Sequence, residues 1–436
     1  MSRKLNWKIT CWEPLRQFMV LSLSALLIVL VGCSSAQFSG GPPPPPPPGT
    51  GNVVAISVNG GPEAGTQFAY GNGAFTSVTI CVPGSTTQCQ TINGILVDTG
   101  SYGLRIEHSV LTLSLPQQKD SSNNPIVECG QFGSGFTWGP VQTADFTIAD
   151  ESAKSLPLQV MGSPSFPDTD GGAAATCAAG EAGVQGVDLN TVPSLGANGI
   201  LGVGNFAQDC GTACTQSGAS NPGIYNSCPT ASTCVSANEP LASQVVNPVA
   251  MFSTDNNGVV IELPAVANGE TTTVNGSLIF GIGTESNNGL GNAKILDVDT
   301  SMGNFTTVFN AQTFSDVGFL DSGSEALFFL NSATTGLPAC TDLTQLYCPA
   351  NNVNLSAINE GISNGNSSTV DFTVGNADAL IGNGSDNAIS FLGGLGVDQQ
   401  NNLFFDWGLP FFYGTNVFVA IDGATTPGGP GPYVAY

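Results

Sequence analysis

Two short segments of the chain carry the same order of residue types. Ile95-Leu96-Val97-Asp98-Thr99-Gly100-Ser101 is followed by Leu104, and Gly318-Phe319-Leu320-Asp321-Ser322-Gly323-Ser324 by Leu327. The two align without a gap, their aspartates 223 residues apart. In each, an apolar run ends on an aspartate, and the glycine two positions on permits a tight turn with close backbone approach. Each carboxylate is thereby held at the end of a buried strand on rigid backbone. Two carboxylates brought face to face cannot both ionise cheaply, so they share one proton. The ionised one serves as general base toward a water between them, and the protonated one donates to a substrate carbonyl. Neither a metal nor a cofactor is needed. Asp98 and Asp321 are the candidate catalytic pair, with Thr99, Gly100, Ser101, Ser322, Gly323 and Ser324 as its candidate supports. A single Asp-Thr-Gly also occurs in ordinary turns; the weight lies on finding two with matching flanks.

The elements that must position such a pair are strands. Gly, Asn, Ser and Thr are abundant, and long amphipathic helical patterns are nearly absent. Short runs rich in Val, Ile, Phe and Thr alternate with turn residues, as in 75–82, 92–97, 258–263 and 277–281. Asp255-Asn256-Asn257-Gly258 is a strong turn signal ahead of one of them. The fold class is all-β, and the spacing of the two motifs suits two lobes of a duplicated fold.

Taken together these residues resemble the pepsin-like aspartic protease superfamily. The resemblance implies a bilobal fold with pseudo-twofold related β lobes, one aspartate from each lobe. It also implies roles for the neighbours. The residues after the aspartates, Thr99 and Ser322, bond across to the opposite loop, while Ser101 and Ser324 bond the nearby carboxylates. Asn198-Gly199-Ile200-Leu201-Gly202-Val203-Gly204 looks like the apolar-Gly strand that threads behind the first Asp loop. Trp407-Gly408-Leu409-Pro410-Phe411-Phe412, followed by residues 416–422, looks like its C-lobe copy with the final hairpin. Gly276-Ser277-Leu278-Ile279-Phe280-Gly281 resembles the strand that opens the C-lobe body. The chain is identified as a member of an uncharacterised bacterial branch of this superfamily, with no assigned activity.

Family members carry a hairpin with a tyrosine over the pair. The matching stretch here is Gln131-Phe132-Gly133-Ser134-Gly135-Phe136-Thr137-Trp138, and Phe132 falls where the tyrosine stands. A phenylalanine covers a cleft and excludes water, but it has no hydroxyl to join the network. Phe132, Gly133, Gly135, Phe136 and Trp138 are the candidate flap and cleft residues; Phe136 and Trp138 fit pocket walls and plain hairpin packing equally well. The segment 208–239 holds four cysteines and many small polar residues, and is expected to be a stapled surface insertion; decoration is the favoured role, with contact to a partner or restriction of the cleft as the alternatives.

Of twelve cysteines, ten lie beyond Cys11 and Cys33, an even number suited to disulfides in an exported chain. Short-range pairs such as Cys81–Cys89 and Cys340–Cys348 fit, although sequence alone does not fix connectivity. Zinc at Cys210-x3-Cys214 and Cys228-x5-Cys234 is the competing use, disfavoured by an oxidising compartment.

Residues 1–32 have a basic start and an apolar run from Phe18 to Val31, the pattern of an export signal. The run ends in Leu30-Val31-Gly32-Cys33, which resembles the lipobox of bacterial lipoproteins. That resemblance implies cleavage before Cys33, its lipidation and a membrane partner through the anchor; the alternatives are an uncleaved N-terminal anchor or ordinary secretion with a free Cys33. Ser34 in place of the retention aspartate favours the outer membrane. Residues 33–51 contain seven consecutive prolines, a stiff extended stalk. The expected organisation is then an N-terminal lobe over 52–250, with its insertion, and a C-terminal lobe over 251–436.

Composition narrows the partners. The chain has 8 Lys and Arg against 32 Asp and Glu, a net charge of −24, and four of its basic residues lie in the first 32. Nucleic acid and anionic lipid surfaces repel such a chain. The one histidine, His108, follows Ile106 and Glu107 and is expected in a surface turn, which leaves serine-triad and His-ligated zinc catalysis without their base or ligands. Asp168-Thr169-Asp170-Gly171 and Asp297-Val298-Asp299 are acidic enough for calcium, but neither continues into an EF-hand loop. The reading is an aspartic endopeptidase at a bacterial envelope, a monomer without cofactors, taking an extended peptide or unfolded protein. The alternative is a pepsin-like lipoprotein without turnover that binds peptide or acts as a scaffold; a weaker third is an adhesion-like surface protein.

Overall fold

The computed structural model describes residues 51–436 except 67–68, 169–172, 180–185, 383, 385 and 399–400. The signal, the stalk, Cys33 and most of Asp168-Thr169-Asp170-Gly171 therefore lie outside the described residues. Strands dominate, and the helices described are single turns or a little more. The architecture is a bilobal, all-β, pepsin-like fold.

The alternation of apolar residues sets the strands. Val53–Asn59 buries Val54, Ile56 and Val58 on one face. It pairs with Gly73–Cys81 on one edge and with Val274–Phe280 on the other. The second pairing joins the two halves of the chain. From there a sheet runs through Gly258–Glu262, Asn416–Ala420, Tyr433–Ala435 and Ile295–Asp297. The strand containing residues 276–280 thus lies in this shared sheet, and not at the opening of a separate C-lobe body. The reason is register: Val53 to Val58 face Ile279 to Val274 over the whole strand. Residues 255–258 do turn before a strand, with Asp255 at φ 51°. The final hairpin forms as Phe418 pairs with Ala435 and Ala420 with Tyr433.

The C-terminal half builds a second, seven-stranded sheet around Gln312–Asp321. Its core is aromatic. Phe309, Phe329, Phe405 and Trp407 stack or meet edge to face with centroids 5.8–6.1 Å apart. Such pairs add to the gain from burial alone and fix ring orientation. This packing anchors the strand that carries the second aspartate.

Ten cysteines form five disulfides: Cys81–Cys89, Cys129–Cys177, Cys210–Cys214, Cys228–Cys234 and Cys340–Cys348. The two pairs expected from short spacing are among them. The two spacings weighed for zinc are both closed as disulfides, so those sulfurs are not available as thiolate ligands. Cys340, Cys348 and Asp378 lie close enough to surround an ion, but two of the three are the joined sulfurs. Five disulfides place the chain in an oxidising, non-cytosolic compartment. Among the described residues no helix is long and apolar enough to cross a membrane.

Candidate active site

Each aspartate sits at the end of a strand threaded by two others. Cys89–Asp98 runs parallel to Gly199–Val203, with Asp98 opposite Gly202. Tyr102–Glu107 returns antiparallel along the other side of Gly199–Val203. In the second half, Gln312–Asp321 runs parallel to Phe405–Gly408, with Asp321 opposite Gly408, and Leu327–Phe329 returns antiparallel. Ile95, Leu96 and Val97 are buried on both faces, as strands in parallel pairings are. The glycines opposite the aspartates are dictated by close approach. A Cβ on Gly202 falls 2.7 Å from backbone atoms of Tyr102, and one on Gly408 falls 2.1 Å from Ala326 O. Gly408→Ala should therefore cost about 3 kcal/mol or more, read as a fall in the denaturation midpoint, because backbone must move.

The two loops are bonded to each other symmetrically. Thr99 Oγ1 donates to Leu320 O (3.0 Å) and accepts from Ser322 N (2.9 Å). Ser322 Oγ donates to Val97 O (2.9 Å) and accepts from Thr99 N (3.1 Å). Within each loop the same pattern holds the carboxylate. Gly100 N donates to Asp98 Oδ1 (2.9 Å) and Gly323 N to Asp321 Oδ1 (2.8 Å). Ser101 Oγ donates to Asp98 Oδ2, and Ser324 Oγ lies 2.9 Å from Asp321 Oδ2. The Asp321 carboxyl lies against the opposite loop: a Cβ on Gly100 falls 2.4 Å from its Cγ. Asp98 and Asp321 are both fully buried side chains. All eight residues singled out at the two motifs are thus brought together.

A cleft of about 320 Å³ opens beside this pair. The first Asp loop forms one side, Phe319 and Leu320 another, and Phe132 and Gln131 lie over it. Ile126–Phe132 and Gly135–Ile148 make a hairpin closed by the two-residue turn Gly133-Ser134, with Phe132 opposite Gly135. Gly135 is required by packing, since a Cβ there falls 2.0 Å from Val187 O. Phe136 and Trp138 are cleft residues only in expectation. Both are buried behind the hairpin with Val127, Ala174 and the Cys129–Cys177 disulfide. The period-two alternation of the strand puts them on the face opposite Gly135 and Thr137, and that face is covered.

Phe132 itself rests on a charge. The Arg105 guanidinium lies 5.5 Å from the centre of its ring, a cation–π contact. Arg105 is nearly fully buried, donates to Tyr102 O (2.8 Å), and is paired with Glu128 and with Asp209 (3.3 Å). Burial works against its charge, but the two carboxylates hold it protonated. Tyr225 Oη donates to Asp209 Oδ1 (2.5 Å). Burial pushes the Asp209 carboxyl well up, and Glu128, with which it shares a hydrogen bond, pushes it further. Arg105, Glu128 and Asp209 all line the cleft.

This cluster corrects the expectation that 208–239 is decoration. Tyr225–Ser227 pairs with Ile126–Phe132, Tyr225 opposite Glu128, and so extends the flap sheet. Asp209, Cys210 and Ala213 supply one wall of the cleft. Polar composition marked the segment as exposed, yet two disulfides and the buried Tyr225 let it dock. At its end, burial pushes the Glu239 carboxyl up to about 7 despite the hydrogen bond from Gln118. A carboxyl raised in the folded state stabilises it below the ordinary value of 4.5, and the benefit is lost as pH rises through 7. Thermal midpoints should therefore fall between pH 5 and 8, and Glu239→Gln should flatten that slope.

Other residues at the site carried no sequence signal. Tyr70 Oη donates to Gly323 O (2.7 Å), reaching from the first half to the second Asp loop. Burial first, then the carboxylates of Glu325, Asp321, Asp98 and Asp406, keeps that phenol protonated. Asn72 Nδ2 donates to Glu325 O (2.7 Å). Asp406 reaches Ser324 Oγ at 2.6 Å. All three stand in unremarkable strand or turn sequence, and only long-range threading makes them neighbours.

Weaker alternatives fall on local geometry. Asp297 accepts from Ser363 and Asn364, and Asp299 from Ser301, Met302 and Asn304, so both carboxylates cap turns. Partial burial opposes ionisation of both, but these donors hold them below the usual range. His108 begins a short 3-10 turn, half-buried. Gly361-Ile362-Ser363-Asn364-Gly365 has the spacing of a serine nucleophile elbow. It forms a turn between the paired strands Val353–Glu360 and Ser367–Val374, with Ser363 Oγ donating to Asp297, and no helix follows it.

Comparison with known proteins assigns the chain to a family. A family model described as a protein of unknown function, DUF3443, matches residues 48–436. The chain belongs to the DUF3443 family. No curated protein matches the sequence. Among solved structures, an aspartic proteinase from Irpex lacteus is similar at a TM-score of 0.50 and 16% identity, covering 88% of this chain and 96% of that one. At that identity the likeness is one of fold, and it extends the pepsin-like architecture to this DUF3443 member.

Proposed function

We propose that the protein is an aspartic endopeptidase that hydrolyses peptide bonds with a water activated by Asp98 and Asp321. The observation that carries this reading is the reciprocal bonding of the two Asp loops, Thr99 to Leu320 and Ser322 to Val97, which brings the loops bearing the two carboxyls together beside the cleft. Hydrogen bonds from Gly100 and Gly323 orient one oxygen of each carboxyl and leave the pair to share a proton. One carboxylate removes a proton from the water, and the other carboxyl donates to the scissile carbonyl oxygen as the tetrahedral species forms. The proton taken from water then passes to the leaving nitrogen. An extended peptide lies in the cleft beneath Phe132. A position outside the cytosol, tethered through lipidated Cys33 on the proline stalk of an outer membrane, completes the proposal.

The test is digestion of an unfolded polypeptide between pH 3 and 8 in water enriched in oxygen-18. The expected result is new C-termini that each carry one heavy oxygen, with no covalent adduct on the protein. Absence of new termini at every pH contradicts the reading. One feature favours a second reading, a peptide-binding protein without turnover: Phe132 brings no hydroxyl to the flap, and its ring packs on Arg105. Peptide binding without cleavage at any pH supports that one.

A further inference from the structure

The site holds a third carboxyl. Ser324 Oγ lies 2.9 Å from Asp321 Oδ2 and 2.6 Å from Asp406 Oδ2. Ser324 and Asp406 are each 1% exposed and Asp321 is fully buried, so water does not mediate these contacts. A hydroxyl has one proton to donate and cannot serve two ionised carboxylates. Its remaining lone pairs repel an ionised carboxylate at such distances. One of the two carboxyls must therefore carry a proton and donate it to Ser324 Oγ.

We propose, resting on the peptidase reading, that Asp406 is a positioning residue that shares the proton of the Asp98–Asp321 pair through Ser324 Oγ. The site proton is spread over three carboxyls. The fold makes this possible on one side only. Asp406 stands two residues before Gly408, on the strand threaded behind the second Asp loop. The residue two before Gly202 in the first half is Ile200, so Ser101 meets no counterpart of Asp406. The two aspartates are thereby made inequivalent, Asp321 being the one with an extended relay.

The groups packed around Asp406 are of one sign. Phe319 and Phe328 stand opposite it on the neighbouring strands. Glu325 follows Ser324 and accepts from Gly71 N (3.2 Å). Asp98 and Asp321 stand across the loop, and the Tyr70 hydroxyl interacts with all four carboxyls. Arg105 and Lys154 are engaged by Glu128 and Asp209, and by Asp145. A negative charge added at Asp406 makes the pair hold its last proton to higher pH, and a neutral side chain there removes that effect.

The test uses the full chain with carbon-13 at the aspartate carboxyls, titrated by NMR from pH 3 to 9, with signals assigned through Asp98→Asn and Asp321→Asn. In Asp406→Asn, and in Asp406→Ile should the first not fold, the last deprotonation of the pair is expected about one pH unit lower. In a Ser324→Ala background the same replacement should move it much less. An unmoved titration, or a shift undiminished by Ser324→Ala, overturns the proposal. In hydrolysis, the alkaline limb of kcat/KM should move down with the titration. A uniform loss of rate with an unmoved titration means Asp406 only packs, and overturns the proposal. A wild-type chain that cleaves nothing overturns the peptidase reading instead, while the NMR result still decides whether the proton is shared.

Discussion

Asp98→Asn, and separately Asp321→Asn, should leave a folded protein whose kcat/KM for an unfolded polypeptide falls at least about a thousandfold at every pH. Asparagine keeps the shape of the side chain and an oxygen for the Gly100 or Gly323 amide, so the loop geometry survives. What is lost is the ability to accept a proton from water or to carry the one that goes to the carbonyl. The bonds between the halves run through Thr99 and Ser322, not through the carboxyls, so the thermal midpoint should not fall. Parallel measurement of kcat/KM and of the melting midpoint separates this outcome from simple unfolding.

Arg105→Leu should be the largest loss of stability at the site, about 3–5 kcal/mol at neutral pH. The arginine is nearly fully buried and is the partner of Glu128 and Asp209. Removing it leaves two carboxyls in low dielectric with only each other and the Tyr225 hydroxyl. Phe132 also loses the cation beneath its ring, so the flap should loosen and KM should rise. The defect has a pH signature. Without the guanidinium the Asp209 carboxyl, already pushed up by burial and held down chiefly by that charge, binds its proton more readily still in the folded state, so the variant regains stability as pH falls and loses it as pH rises. Urea denaturation at pH 4.5 and 7.5 checks this: the gap between variant and wild type should be much smaller at the lower pH.

Much of the fold was legible because it repeats. The apolar-Asp-hydroxyl-Gly-Ser order occurs twice, and each copy is followed downstream by an apolar-Gly strand, so the threading of Asp98 against Gly202 and Asp321 against Gly408 follows from local pattern. Strand positions follow from period-two burial in the same way. The Arg105–Glu128–Asp209 cluster was not legible, because it joins residues 23 and 104 positions apart, and the last sits in a segment whose composition reads as exposed. Asp406 was hidden for a related reason: a lone acid in an apolar strand looks like a surface position until threading buries it against Ser324. Phe136 and Trp138 show the converse limit. Sequence places them on the flap, but only the disulfide to Cys177 and the helix Ala173–Ala179 decide that their face is covered.

The position of one water molecule tests the mechanism most directly. In a crystal structure at about 1.2 Å or better, with peptide absent, the expected result is a single water within hydrogen-bond distance of both the Asp98 and the Asp321 carboxyls. A side chain lying between the two carboxyls, or carboxyls too far apart to share one water, contradicts the account.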